Sequence, residues 1–161
     1  MTIRQWTLSS INQLVKQFEQ GALSKEEWTH HAHLVVCSYY LYHYNYQEAT
    51  LRIKLGIIRF TAAVGTENTI DGGYHETLTL FWIWAVNAYI TDQSATLEEL
   101  VNGLLNRPYS KKYLPFFFYA EDHIFSHEAR ARWVGPNLHP LKASLIASAF
   151  IDSIWYGDDL V

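Results

Sequence analysis

The chain has 161 residues, a length that fits one domain with a core of its own. Apolar residues make up 49% and charged residues 17%, which excludes a disordered chain. The formal net charge is −4, and the twelve Lys and Arg form no basic stripe; phosphate recognition rests on clustered positive charge, so nucleic acid is excluded as an expected partner.

Apolar residues at Ile11, Leu14, Val15 and Phe18 follow the i, i+3, i+4, i+7 spacing of an amphipathic helix, which Gly21 can end. Ser24 and Glu27 form the S-x-x-E pattern of a capping box, so a second helix is expected from there to about His43. Its later part, LVVCSYYLYHY, is apolar or aromatic on nearly every face, as a central helix would be. Asn45 can cap a third helix from Tyr46 to about Val64, with Ala49, Leu51, Ile53, Leu55, Ile57, Ile58 and Phe60 expected to supply its buried surface. GTENTIDGG breaks the pattern. A fourth helix follows from Tyr74 to about Ile90, and Ser94 or Thr96 can cap a fifth from Leu97 to Leu105.

Pro108 and Pro115 interrupt the next stretch, where PFFFY suggests a loop or short helix pressed on the core. Ser126 opens a short helical stretch to Trp133, and Leu141 to Trp155 reads as a last helix that Gly157 could end. No convincing period-2 segment and no internal repeat occurs. The expectation is an all-α single domain over residues 1–161, a helical bundle of about five to seven helices.

The polar amino terminus lacks the apolar stretch of a secretory signal. The most apolar run, LTLFWIWAVNAYI, falls short of the roughly 20 residues that span a bilayer. Cys37 is the single cysteine. A soluble, cytoplasmic protein without a membrane partner is the expectation.

The chemistry-bearing residues gather in EWTHHAHL and GGYHETLT. On a helix His30 and His33 share a face, while His31 points about 100° away. His75 and Glu76 fall in the first turn of the fourth helix, whose start should lie at the same end of the bundle as that of the second. Convergence of His30, His33 and His75 would provide ligands for Zn, Fe, Ni or Mn, with Glu76 as a further ligand or general base. Arg130 could hold an anionic group, and Tyr74, Thr79 and Ser110 could donate hydrogen bonds to a substrate. H-x-x-H alone is a low-specificity signal, and no nucleotide or serine-hydrolase motif is present.

WTHHAHL, GYHETLT, RPYSKKYL, SHEARARWV and PNLHPL resemble, in the same order, the motifs of a family of small, functionally uncharacterised bacterial proteins, with a pattern of FTHxxHL, YHETIT, YS, SxxAR and PDLxPL. The resemblance spans about Glu27 to Leu141. It picks out Thr29, His30, His33, Leu34, Tyr74, His75, Glu76, Thr77, Thr79, Ser110, Ser126, Ala129, Arg130, Pro136 and Leu138. Asn137 stands where the pattern has Asp. It implies a shared site and no particular reaction.

Three functional expectations follow. The first is a metal-dependent enzyme acting on a small molecule, with His30, His33 and His75 as ligands and Glu76 and Arg130 as catalytic groups. The second is a metal-free protein that binds a small ligand in the same polar pocket. The third is an interaction module whose histidines are structural. The aromatic content also fits a homodimer.

Overall fold

The computed structural model describes residues 5–67, 69, 72–147 and 149. The fold is all-α: eight helices run α1 (Leu8–Gln20), α2 (His30–His43), α3 (Tyr46–Ala63), α4 (Glu76–Ile90), α5 (Leu97–Leu105), α6 (Leu114–Phe118), α7 (Glu121–Ile124) and α8 (His127–Ala131), and no strand occurs among the described residues. No helix among them is long and apolar enough to cross a membrane. Of the expected last helix, residues beyond Ala149 lie outside the described set.

Local chemistry explains most helix ends. Thr7, Asn45 and Thr96 each accept a backbone N–H of the first turn, and Glu99 completes a capping box with Thr96. Gly21 sits at φ 64°, and Ala22 N–H reaches back to the Gln17 carbonyl at 2.9 Å, closing α1 in the left-handed turn that favours glycine.

The expected start of the second helix needs correction. Ser24 and Glu27 do bond reciprocally, at 2.8 and 3.3 Å, but they close an isolated turn. The Thr29 hydroxyl accepts Ala32 N–H at 3.2 Å and starts α2 instead, so His30 is its first residue and not a residue one turn along it.

Two cores lie on either side of α4. The first joins α1, α2, α3 and α5, with α2 in the middle; Leu34, Val35, Ile83, Val86 and Val101 are fully buried there. The second packs Phe81 and Ala85 of α4 against Leu114, Phe118, Tyr119, Ile124, Ala129 and Ile146. Serving both, α4 needs apolar side chains nearly all round, as its sequence has. Helix α3 departs from expectation: Ala49, Ile53 and Phe60 face the core, but Leu51, Leu55 and Ile58 are 58%, 50% and 44% exposed.

Candidate functional site

The three candidate metal-ligating histidines do not converge. His30 packs edge-on against Trp82, its centroid 4.7 Å away, and its Nε2–H donates to the Ser110 carbonyl at 2.9 Å. Trp82 lies seven residues past His75, ~10 Å along α4. The start of α2 is therefore level with the middle of α4, and the helix offset needed for a common site is absent. His33 turns the other way: its Nδ1–H donates to the Thr29 carbonyl one turn back, at 2.8 Å, and its ring lies 3.9 Å from that of Trp28. Trp28 in turn stacks on Phe18 and meets Phe60, on the α1 and α3 side. Among the described residues, no three His, Cys, Asp or Glu side chains are grouped as a metal ion would need.

His75 is 7% exposed and caps α4. Its Nδ1 accepts Leu78 N–H at 3.2 Å, and its Nε2–H donates to the Ile124 carbonyl at 2.9 Å. One nitrogen must be bare and the other protonated, so these two bonds require the neutral Nε2–H tautomer. Burial, with Arg130 nearby, pushes its pKa down, which favours that neutral form. Both ring nitrogens are thereby engaged by the main chain.

Burial lowers His30 and His33 to about 4 each; for His30 the neighbouring His33, His31 and Lys112 add to the effect. The unfolded imidazoles, with ordinary values near ~6.5, bind protons more readily than the folded ones. Their contribution to stability is therefore complete above about pH 6.5 and is lost as pH falls toward about 4. Urea unfolding midpoints should drop across that window and drop less in a His30→Gln, His33→Gln double variant; parallel pH profiles would contradict the assignment.

The second constellation does assemble. Glu76 accepts Lys54 Nζ on Oε1 and the Tyr74 hydroxyl on Oε2, each at 2.5 Å, and ties α3 to the start of α4. Burial first, then Glu76, raises the Tyr74 pKa, which keeps the phenol protonated; a side-chain bond with Thr79 opposes that shift. No motif marks Lys54 in the sequence, because it is 22 positions from Glu76, on another helix. Arg130 donates from Nη1 to the Gly72 and Tyr74 carbonyls at 2.9 and 3.2 Å, pinning the turn that precedes α4. The Ser110 hydroxyl points at the Leu105 and Arg107 carbonyls (3.0 and 2.9 Å), while its own carbonyl receives His30.

The remaining motif positions are also joints of the fold. Thr77, fully buried, donates to the Arg132 carbonyl and accepts Val134 N–H, at 3.0 and 3.1 Å. Ser126 caps α8, and Asn137 Oδ1 accepts Ala120 N–H at 2.8 Å, an acceptor role that an Asp side chain fills equally well. His31 is exposed, about 100° around α2 from its neighbour His30. Cys37 is buried, and burial pushes its thiol up to about 12, far from a reactive thiolate. A cleft of about 390 Å³ between α1 and residues 23–32, lined in part by Trp6, Gln13 and Glu26, shares none of the three histidines, Tyr74, Glu76, Ser110 or Arg130.

Five of the eight histidines place a ring N–H on a main-chain carbonyl: His30 on Ser110, His33 on Thr29, His75 on Ile124, His123 on Gly135 and His139 on Phe117. Four of these bonds cross between distant segments, and all four close the 108–139 region onto itself or onto the rest of the fold, through carbonyls at 110, 117, 124 and 135. No protein-family model matches the chain, and no curated protein or solved structure proves similar to it.

Proposed function

We propose that this protein is a helical interaction module in which the histidines are structural and the working surface is an exposed helix face. The observation that carries this reading is the engagement of both His75 ring nitrogens by the backbone, the strongest case of the five carbonyl-bound imidazoles. A ring held this way supplies neither a metal lone pair nor a free proton carrier without breaking a buried hydrogen bond. The exposed row Leu51, Leu55 and Ile58 then stands out as apolar surface that packs into neither core among the described residues.

A photo-crosslinking residue placed at Leu55 or Ile58, in the cells that make the protein, should give a discrete protein adduct. The same residue at exposed Gln13 on α1 should not. No adduct at either α3 position, or equal adducts at all three, would sink the reading.

A small-ligand site at Glu76, Tyr74, Lys54 and Thr79 is the second reading. What favours it is a carboxylate held by an ammonium and a phenol while about 16% of its side chain stays exposed. Thermal-shift screening of amines, polyols and carboxylic acids against wild type and Glu76→Gln would support it through a shift that the variant loses. In either reading, a metal-supported enzyme would need a donor set other than His30, His33 and His75 together.

A further inference from the structure

Of the five carbonyl-bound imidazoles, His75 alone among the described residues also accepts a main-chain N–H on its other nitrogen. That difference decides what acid does to each ring. A proton added to His30, His33, His123 or His139 goes to the nitrogen that is not on the carbonyl, and the N–H···O=C bond survives. A proton added to His75 can go only to Nδ1, where it meets Leu78 N–H at 3.2 Å. The capping acceptor becomes a second donor, and turning the ring away gives up the Ile124 carbonyl as well. Ser, Thr or Asn at this position would cap α4 at any pH; histidine caps it only while neutral.

A charge on the ring is also badly placed. It adds to the partial positive charge at the start of a 15-residue helix, and Arg130 of α8 faces it. Among the described residues no carboxylate is set to offset it. Glu76 is bonded to Lys54 and Tyr74, and Glu128 of α8 to Arg132. Glu121, Asp122 and His127 are exposed, His123 is on the Gly135 carbonyl, and Phe125 meets the ring edge-on. Burial lowers the His75 pKa, the Ile124 bond opposes that, and Arg130 adds to it. The unfolded chain therefore binds this proton more readily, so the ring's contribution to stability is complete above about pH 6.5 and is lost as the pH falls.

The hydrogen bonds that tie residues 121–134 to α4 and the turn before it all land beside this ring. Arg130 bonds the Gly72 and Tyr74 carbonyls, His75 bonds that of Ile124, and Thr77 bonds Arg132 and Val134. Thr77 stands in the first turn that His75 caps, so fraying of that turn loosens both of its bonds. Behind them, Ile124 and Ala129 are fully buried in the second core.

We propose that His75 is an acid-released latch: a proton on Nδ1 uncaps α4, frees residues 121–134 from its start and exposes Ile124 and Ala129, while the core around α2 stays closed. The latch needs the backbone-bonded His75 of the interaction-module reading but no partner, so absent α3 crosslinks would leave it standing.

Hydrogen exchange of the full chain, read by mass spectrometry from about pH 7.5 to about pH 5 and corrected for the intrinsic chemistry of exchange, tests this. Protection of residues 121–134 and of the first turn of α4 should hold near neutrality. It should then fall by up to about tenfold per pH unit as His75 titrates, with α1 and α5 unchanged. His75→Asn keeps a cap that does not titrate, so its protection there should be lower at neutral pH and flat with pH. The His30→Gln, His33→Gln double variant should keep the wild-type fall. No loss of protection, equal loss throughout the chain, or the same fall in His75→Asn would overturn the latch. If His75→Asn does not fold, NMR of the wild type decides. The His75 ring and the amides of Leu78 and Phe125 should titrate with one midpoint, and separate midpoints overturn the proposal.

Discussion

Replacing His75 with Ala is expected to lower unfolding stability by about 3 kcal/mol, roughly 6–12 °C in Tm for a chain of this size. Two losses add. The side chain is the N-cap of α4, and removing a capping acceptor costs about 1 kcal/mol. It also satisfies the Ile124 carbonyl from a nearly buried position, and leaving a buried acceptor unpaired costs about 1–3 kcal/mol. The two contributions separate in His75→Asn. Asn caps as well as any residue but is too short to reach Ile124, so this variant should recover about 1 kcal/mol of the loss. Urea denaturation of the three proteins measures both steps. A His75→Ala cost below about 0.5 kcal/mol would mean the ring is not a joint of the fold.

The second large effect is at Gly56, in the middle of α3. A Cβ there would sit 2.3 Å from two atoms of the Phe18 ring. Phe18 cannot swing aside, because it is 2% exposed and stacked on Trp28 with centroids 4.7 Å apart. Overpacking of this kind costs about 3 kcal/mol at its upper end, while Gly to Ala inside a helix returns about 1 kcal/mol of propensity. Gly56→Ala should therefore lose a net of about 2 kcal/mol. The strain has a second readout, since Trp28 is the surface on which His33 packs. If α1 and α3 separate, the His33 ring gains water and its pKa moves up from about 4 toward its ordinary value, which NMR titration of the imidazole follows. Greater stability of the variant would show that the close approach of α1 and α3 is not a constraint.

Much of the first half of the fold is legible in the residues. Asn45 and Thr96 cap the helices they were expected to cap, and Gly21 ends α1. Ser24 and Glu27 misled because the reciprocal bonds of S-x-x-E form in a single turn as readily as in a helix start; Thr29, with a bonded hydroxyl of its own, decides where α2 begins. On α3 the apolar residues fall on two opposite faces, so composition alone could not say that Leu51, Leu55 and Ile58 would be left outside. The short helices after Arg107 owe their places to contacts across the chain, such as Thr77 with Arg132 and Val134.

Only part of the arrangement of the candidate residues was legible in the sequence. Tyr74, Glu76, Thr79 and Arg130 do gather about the start of α4. The histidines do not join one another because backbone carbonyls claim them, and carbonyls carry no sequence signature. The partners of His30 and His75 lie 80 and 49 positions away. A motif rich in His, Thr, Ser and Arg reads as chemistry when its residues are also what bonds helix ends and loop carbonyls together.

The most direct measurement is long-range proton–nitrogen correlation NMR of the imidazoles, recorded near pH 7 with and without added Zn²⁺. His75 is expected to appear as the neutral tautomer with Nε2 protonated and Nδ1 bare, with the proton of His30 also on Nε2 and that of His33 on Nδ1, and none of the three should change with the metal. Stoichiometric zinc shifting these three rings together, or a His75 ring protonated on Nδ1, would contradict it.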